Sequence, residues 1–368
     1  MGRPAKGVLS SFPLEVRAYI DKYRPSRLGW SAKTISVELA LDESLAAQAK
    51  PSSSSISRYL CNTKRTKHYR KTSDIVPSVF IKTTQAHEVW QLDAEGTKAV
   101  LGVGWVSPIN IKDIDTKVFV MSYPCCVQTV NNLPKTIDYQ WALRLAFMEW
   151  GMPLFLQTDH GSVFFDNKSH SPFPTTLYLW LLGLGIEILF TPVGKPQKQG
   201  LVERSHQTFD GQLTPGISLS TPDDLFDFSQ NRRQRLNEHI PSSASQNLPP
   251  LVNRPDACQS VRAYEPQNET KIFDKNRIQA YLQSQTWFRL VARNKNFSIG
   301  GQLYHLPSAK PNSEITVKYN KAFEGFDCFD SDGKILDFCS AIKLNFNELD
   351  GDIHQFNNWV KDRVLMKH

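Results

Sequence analysis

Three carboxylate residues stand where they could act together on one substrate. Asp93 and Asp159 each follow a short apolar segment that the pattern predicts to be a β-strand. Glu203 lies in a stretch, residues 200–206, that is predicted to begin a helix. Two strand ends and one helix could therefore bring three acids to one metal site.

Such a set of acids is suited to phosphodiester chemistry. That chemistry needs negative charge on the phosphoryl oxygens neutralised and an oxygen nucleophile activated in line, and two divalent cations do both. Mg²⁺ prefers carboxylate and water oxygens and is usually held by few protein acids, with positions left open. A single acid at a strand end more often caps a turn or stays solvated, so each acid alone is weak support.

The sequence around the three acids resembles the integrase core of DDE transposases and retroviral-type integrases. The resemblance lies in residues 90–93 (WQLD), 157–164 (QTDHGSVF) and 192–206 (PVGKPQKQGLVERSH). It is nearest to bacterial insertion-sequence transposases with a leading helix-turn-helix, such as the IS481 group. Matched motif by motif, it places Asp93, Asp159 and Glu203 on the catalytic, metal-binding acids. It implies two Mg²⁺ or Mn²⁺ ions and no small-molecule cofactor.

Residues beside the three acids are candidates for supporting roles. His160 stands where the family usually has Asn, and the stretch between the last two acids is longer than in compact members. His206 shares a helix face with Glu203 and could contact a phosphate or tune that acid; a polar residue at the sheet edge is an equal alternative. The candidates for phosphate positioning are Lys195, Lys198 and Arg204.

The positive charge of the chain is concentrated near its beginning. The net charge is +7, and all of the excess falls within residues 1–80. This distribution is typical of a module that binds a polyanion, although a basic solvated surface remains an alternative. The six cysteines form no C-x-x-C pair, which disfavours a zinc site or a disulfide framework. No segment has the length and apolarity of a membrane span or a signal core, so we expect a cytoplasmic, nucleoid-associated bacterial protein.

Residues 1–72 are predicted to form a helix-turn-helix DNA-binding domain. The pattern predicts helices over 14–23, 31–41 and 52–60, the third with a serine cap, followed by a basic segment. The candidate DNA-contacting residues are Ser54, Ser55, Ser57, Arg58, Lys64, Arg65 and Lys67. A three-helix unit that does not touch DNA is the alternative.

Residues 73–86 are predicted to be a linker. For residues 87–215 the resemblance implies an RNase H-like core, an α/β fold with a mixed five-stranded sheet and helices. Two core strands are expected over 100–106 and 117–122, with a turn over 109–115. In this region Asp113 and Asp115 are predicted to be structural. Glu95 is predicted to be an exposed turn acid, with a neighbour of the metals as the alternative. A helix is predicted from Asn131 and Asn132 to Gly151. Its expected core-facing stripe is Leu133, Ile137, Trp141, Leu145 and Met148.

The remainder is predicted to hold three parts. Residues 216–273 are expected to be a linker with a connecting helix over 225–239 whose arginines lie along DNA; a solvated charged helix is the alternative. Residues 274–343 carry six short strands between turn residues, which suits a small all-β barrel. Residues 344–368 are expected to be a helical tail that engages another subunit or an accessory transposition protein.

The function that these features predict is that of a DNA transposase or integrase. Such an enzyme binds element ends and catalyses metal-dependent 3′-end nicking and strand transfer into target DNA. The expected partners are double-stranded DNA, as element ends and as target, and further copies of the chain on that DNA. The alternatives are a catalytically inactive DNA-binding regulator and a hydrolytic nuclease on the same fold.

Overall fold

A computed structural model of the 368-residue chain provides the structure. It describes residues 7–66, 81–166, 170–191, 202, 206, 208, 210–211, 219–258, 262–341 and 343–366. Residues 364–366 are described by their backbone only. The chain forms two compact units. Unit 1 comprises Met1–Ala86, Gln91–Leu133 and Gln197–Gln259, and unit 2 comprises His87–Trp90, Pro134–Pro196 and Ser260–His368.

Three helices form the N-terminal part of unit 1, as the sequence predicts. They are α1 (Leu14–Tyr23), α2 (Ala32–Leu41) and α3 (Ser53–Asn62). The Ser31 hydroxyl accepts a hydrogen bond from Thr34 N at 3.0 Å, and the Ser52 hydroxyl accepts one from Ser55 N at 3.2 Å. These caps fix where α2 and α3 begin. The helices share a core of Leu9, Val16, Ile20, Trp30, Ile35, Leu39, Leu45, Ile56 and Leu60.

A six-stranded mixed sheet is the larger sheet of the structure. Its strands are β1 (Val89–Ala94), β2 (Lys98–Val100), β3 (Gly104–Asp113), β4 (Phe119–Val127), β5 (Phe155–Thr158) and β6 (Glu187–Phe190). The order is β2-β3-β1-β5-β6, with β4 paired to β3. The β3–β4 pair is antiparallel and the β5–β6 pair is parallel. The α/β class with a mixed sheet is confirmed, with the short β2 added to the five expected strands. The RNase H-like nature of this core stays a prediction.

The predicted turn over residues 109–115 is wrong, because most of it belongs to β3. The β2–β3 turn falls earlier, where Gly102 and Gly104 have φ of +83° and +111° and Val100 pairs with Gly104. Consecutive residues of β3 are buried on both faces, so no alternation of apolar and polar residues marks the strand.

The two acids at the end of β3 hold the next turn and its neighbours. Asp113 is fully buried and accepts hydrogen bonds from the backbone and the hydroxyl of Thr116. Asp115 accepts from the Thr83 hydroxyl at 3.0 Å and pairs with Arg254 at 2.7 Å. Both acids are structural, as predicted.

Helix α6 (Pro222–Glu238) packs against β4. The expected connecting helix with arginines along DNA and its alternative, a solvated charged helix, are therefore both wrong. Arg232 and Arg233 are only 5% and 6% exposed. The Arg232 guanidinium pairs with Glu38 at 2.7 Å, and Arg233 donates to the carbonyl of Phe119 at 3.3 Å. These arginines therefore neither face solvent nor lie free for DNA. A short helix, α7 (Pro250–Asn253), also lies in unit 1.

Unit 2 is built around α4, and the predicted start and buried face of this helix are wrong. Unit 2 contains α4 (Thr136–Trp150), α5 (Thr176–Gly183), α8 (Glu269–Ile272), α9 (Lys275–Gln283), α10 (Phe346–Leu349) and α11 (Ile353–Met366). Asp138 accepts from Lys135 N at 2.7 Å, so α4 begins several residues after the expected cap. Leu133 and Met148 are 63% and 39% exposed. The core face carries Tyr139, Ala142, Leu143, Ala146, Phe147 and Trp150. Apolar residues surround most of α4, so periodicity does not select one face.

The six strands expected after residue 286 are all present. They are β7 (Trp287–Leu290), β8 (Asn296–Ile299), β9 (Gln302–His305), β10 (Glu314–Asn320), β11 (Gly325–Phe329) and β12 (Ile335–Ser340). They pair as an antiparallel sheet, β12-β11-β10-β7, and a β8–β9 hairpin. The region is all-β, as the sequence predicts, and its closure into a barrel stays a prediction.

The C-terminal tail is helical, as predicted, and packs within unit 2. Phe356 of α11 is fully buried, and its ring contacts Trp141 with centroids 5.5 Å apart. Its engagement with another subunit or an accessory protein stays a prediction. All six cysteines are free thiols. Among the described residues, no helix combines the length and apolarity that crossing a membrane requires.

Candidate active site

Asp93 lies where β1 emerges from the core. The first four residues of the strand are buried and the last two are half-buried. The Asp93 side chain keeps 24% of its surface exposed, and its Oδ2 lies 3.1 Å from Nε2 of His206. The strand therefore delivers a carboxylate that is anchored at one oxygen and still partly accessible.

His206 is held in a buried polar network. Its Nδ1 lies 2.9 Å from Nδ2 of Asn110, and Oδ1 of Asn110 accepts from the Ser122 hydroxyl at 2.9 Å. In this orientation the amide nitrogen can only donate, so Nδ1 of His206 accepts. The other ring nitrogen, Nε2, then donates to Asp93. The network fixes the orientation of the ring.

Glu95 adjoins the same network, and the prediction of an exposed turn acid is wrong. The Glu95 side chain is 19% exposed and pairs with Nζ of Lys98 at 2.6 Å. Burial raises the pKa of the Glu95 carboxyl, and Lys98 opposes that rise. Lys98 also pairs with Asp210. The ammonium group thus balances the charges of Glu95 and Asp210.

Asp159, the second predicted acid, lies in unit 2. It follows β5 directly and is exposed. Its Oδ1 accepts from the backbone N–H of Gly161 at 2.8 Å, which closes a tight local turn. Thr158 is buried and its carbonyl accepts from Thr191 N at 2.9 Å, so the end of the strand is firmly placed. The residue is therefore accessible from solvent.

His160 is packed among aromatic rings. Its ring stacks on Phe190 with centroids 4.9 Å apart and meets the edge of Phe165 at 5.2 Å. The two phenylalanine rings also contact each other. Ring packing therefore holds His160, the residue that follows Asp159, in place. A supporting role for His160 at the metals stays a prediction.

The third predicted acid, Glu203, lies outside the described residues, as do Lys67, Lys195, Lys198 and Arg204. Two described residues of the same segment bind to β1. Val202 N donates to Oε1 of Gln91 at 2.9 Å, and His206 binds Asp93. Val202 and His206 are therefore both tied to the strand that carries Asp93.

The described DNA-contact candidates divide into two groups. Ser54, Ser57, Arg58 and Lys64 are exposed on or just after α3, and Ser55 is half-buried. Arg65 is committed to the fold. Its Nη1 pairs with Asp21 at 2.6 Å and donates to the carbonyl of Arg24 at 2.9 Å. Arg65 therefore ties the segment after α3 back to α1.

Sequence reasoning missed Gln91, Lys98, Asn110 and Ser122. Asn110 and His206 are 96 positions apart, and Gln91 and Val202 are 111 apart. The available signal was a polar residue at a buried strand position, as at Asn110, because such a residue needs a partner. The identity of that partner depends on the strand order.

Each of the two described acids, taken by itself, offers the oxygen chemistry that a hard divalent cation prefers. Each leaves one carboxylate oxygen, Oδ1 of Asp93 and Oδ2 of Asp159, without a hydrogen bond from any described residue. Oxygen ligands with open positions suit Mg²⁺ and Mn²⁺. Among the described residues, from which Glu203 is missing, no three His, Cys, Asp or Glu side chains form a metal-binding group.

Comparison with known proteins gives similarities of fold at low identity. No family model matches the chain. The chain is similar to a chain in the cryo-EM structure of the simian T-cell lymphotropic virus intasome in complex with the PP2A regulatory subunit B56 gamma. The sequence identity is 12% and the TM-score is 0.35, and the match covers 79% of this chain and 92% of that chain. It is also similar to the HTLV-2 integrase catalytic core domain in complex with magnesium, with a sequence identity of 16% and a TM-score of 0.32. This match covers 45% of this chain and 94% of that chain. TM-scores this low leave the functional assignment to rest on the residues themselves.

Proposed function

We propose that this chain is a metal-dependent DNA transposase or integrase of the DDE type. It binds the ends of a mobile element, nicks them to free a 3′-hydroxyl, and joins that hydroxyl to target DNA. Asp93, Asp159 and Glu203 are the proposed metal-binding acids. The substrate is double-stranded DNA, and the working form is an assembly of several copies on DNA, since two ends must be joined together.

The observation that supports this proposal most is the state of the Asp93 carboxylate. One oxygen is anchored by a buried histidine, and the other has no partner among the described residues. Because the side chain is 24% exposed, this second oxygen is accessible from solvent. A carboxylate that is held in one orientation with one accessible oxygen suits a divalent cation.

The residues of the chain have separate tasks in the proposed reaction. Two divalent cations, when bound, activate the attacking oxygen and neutralise charge on the phosphoryl group. Asp93 and Asp159 offer carboxylate oxygens for those cations, and His206 keeps Asp93 in one orientation. The exposed residues Arg58 and Lys64 contact the DNA backbone, which positions the duplex without reading its sequence.

The test is an end-joining assay with the purified chain. DNA from either side of its own coding region, a supercoiled plasmid and Mg²⁺ are incubated with the protein, and joined products are sequenced. We expect 3′ ends of the element covalently joined to plasmid. Asp159→Asn should abolish joining and leave DNA binding nearly unchanged, because the acid serves the metals and not the duplex.

A matched control is Glu187→Gln on β6, the strand beside β5, where the acid is exposed. This variant should join ends at the normal rate. DNA binding without any cleavage or joining by the unaltered chain would favour the inactive regulator. Cleavage without joined products would favour the nuclease.

A further inference from the structure

A buried ion pair joins helix α6 to the N-terminal helices α1 to α3. The Arg232 guanidinium of α6 binds Oε1 of Glu38 on α2 at 2.7 Å, and the two residues are only 5% and 7% exposed. Arg235, about one turn further along α6, binds the other oxygen of Glu38 at 3.3 Å. Separating such a pair leaves buried charge without its partner, so the contact resists opening.

An aromatic stack extends the same contact. The Arg232 guanidinium lies over the ring of Trp30, 4.3 Å from its centroid. The Trp30 ring in turn stacks on Tyr23 of α1, with centroids 4.0 Å apart. A cation over an aromatic face is held most strongly where water is excluded, and Trp30 is 4% exposed. Arg232 is therefore anchored to the core that the three N-terminal helices share.

Helix α6 is also fixed to the sheet that carries Asp93. It packs against β4, and the Gln230 side chain donates to the carbonyl of Ser122 on that strand at 2.9 Å. The Ser122 hydroxyl donates to Asn110, Asn110 binds His206, and His206 binds Asp93. All of these residues belong to unit 1. A continuous series of contacts therefore connects the N-terminal helices with Asp93.

The docked arrangement leaves the outer face of α3 open. Ser54, Ser57 and Arg58 are exposed, whereas Ile56 and Leu60 lie in the core of the three helices. That core does not include Glu38, the residue that holds α6. The N-terminal helices can thus be fixed to α6 on one side and meet DNA on another.

We propose that the Glu38–Arg232 contact sets the length of DNA between the site that α3 binds and the phosphodiester that is cut. The inference rests on the proposed function and adds a specificity-determining contact to it. Because α3 and Asp93 are held in one assembly, the cut falls at one distance from the bound site and on one face of the duplex. A DNA turn takes about 10 base pairs and about 35 Å, so an added half turn moves the scissile bond to the opposite face.

The test is end joining with DNA of altered spacing. A footprint of the full chain, compared with that of Arg58→Glu, locates the site that α3 binds. Spacers of about half a turn or one turn are then inserted between that site and the joined end. We expect either spacer to reduce joining by the unaltered chain about tenfold or more, because neither the distance nor the face can adjust.

The contact is broken in Glu38→Lys, where the new ammonium group repels Arg232. The full-turn spacer should then reduce joining less than about threefold, because the N-terminal helices are no longer held at one distance and the face is restored. Glu43→Lys makes the same change of charge at an exposed position between α2 and α3 and should keep the tenfold loss. The double variant Glu38→Lys/Arg232→Glu restores opposite charges and should regain the spacing preference.

Three results of the joining assay would overturn the inference. They are an unaltered chain that joins equally well at every spacing, a Glu38→Lys variant that keeps the full preference, and a double variant that regains none of it. The last result would assign the loss in Glu38→Lys to damage of the fold. No joining at any spacing would count against the proposed function, whereas joining that ignores the spacer would count against the inference alone.

A distance measurement tests the docking without the reaction. Nitroxide labels on the exposed Cys61 of α3 and Cys126 of β4, in a Cys258→Ser background, report the separation of the two elements by pulsed electron paramagnetic resonance. One narrow distribution of distances is expected for the unaltered chain and for Glu43→Lys, and a broad one for Glu38→Lys. A broad distribution in the unaltered chain would overturn the inference.

Discussion

Two carboxylates of this chain show how the same chemical group is built for opposite purposes. Glu269 in unit 2 is fully buried, and both of its oxygens are used. Arg144 donates to Oε1 and Oε2 at 2.7 Å and 2.8 Å, Trp180 donates to Oε1 at 2.9 Å, and the Tyr264 hydroxyl donates to Oε2. Asp93 in unit 1 is partly exposed, with one oxygen bound to His206.

The difference separates stability from chemistry. A fully satisfied, buried ion pair costs several kcal/mol to break, because removing one partner leaves the other charge buried and alone. A carboxylate with a free oxygen adds little to stability and remains available to a cation. We therefore expect substitutions at Glu269 to change folding and substitutions at Asp93 to change activity.

The largest expected effect is that of Asp93→Asn on end joining. The rate should fall about a thousandfold or more, because a bound metal contributes several kcal/mol to the transition state. The free energy of unfolding should change by less than about 1 kcal/mol. Product yield over time and urea denaturation measure the two quantities. A large loss of stability in this variant would remove the distinction from Glu269.

The next effect is on stability. Glu269→Gln should lower the free energy of unfolding by about 3–5 kcal/mol, since Arg144 is left without its counter-charge in a fully buried site. Urea denaturation followed by tryptophan fluorescence gives the value. Glu314→Gln, at an exposed position of β10, is the control and should change it by less than about 0.5 kcal/mol. Similar midpoints for the two variants would contradict the assigned role of Glu269.

A smaller effect is expected for the histidine that orients Asp93. His206→Ala should reduce end joining about 10–100-fold, the usual result of removing a partner that orients a metal ligand. His206→Gln keeps an N–H donor and should recover part of the rate, whereas a purely packing role would predict no recovery. His354→Ala, on an exposed position of α11, serves as the control.

The smallest expected effect is on the pH dependence of stability, and it comes from Asp350, which binds the partner of Glu269, Arg144. Burial raises the pKa of the Asp350 carboxyl, and its backbone carbonyl accepts from Arg144. A raised pKa means that the folded state holds the proton more tightly than the unfolded state. The resulting stabilisation is complete below the unfolded pKa, about 3.9, and is lost as pH rises through the folded pKa. Asp350→Asn should remove this dependence, so its stability relative to the unaltered chain should increase with pH in urea titrations.

The sequence predicts local structure well where local chemistry decides it. Helix α1 begins directly after Pro13, helices α2 and α3 begin at serine caps, and β7 to β12 show alternation between turn residues, so their bounds are nearly correct. The turn within β3 and the buried face of α4 were wrong because both elements are apolar on more than one side. Periodicity cannot choose between faces in such elements.

The partners of buried polar residues lay beyond sequence reasoning. Arg232 looks like a solvated or DNA-binding residue until Glu38, 194 positions earlier, is placed beside it. The link between His206 and Asp93 likewise spans 113 positions. The motifs identified the candidate acids, but the orientation of Asp93 depends on Asn110 and Ser122, which no local pattern marks.

The most direct test of the central claim is to map the metal site with iron. Fe²⁺ in place of Mg²⁺, with ascorbate, generates hydroxyl radicals that cut the chain next to the bound ion, and the fragments are identified by mass spectrometry. We predict cuts around residues 93, 159 and 203 together, all suppressed by excess Mg²⁺ and all lost in Asp159→Asn. Cuts confined to one of these segments, or unaffected by that substitution, would contradict a shared metal site.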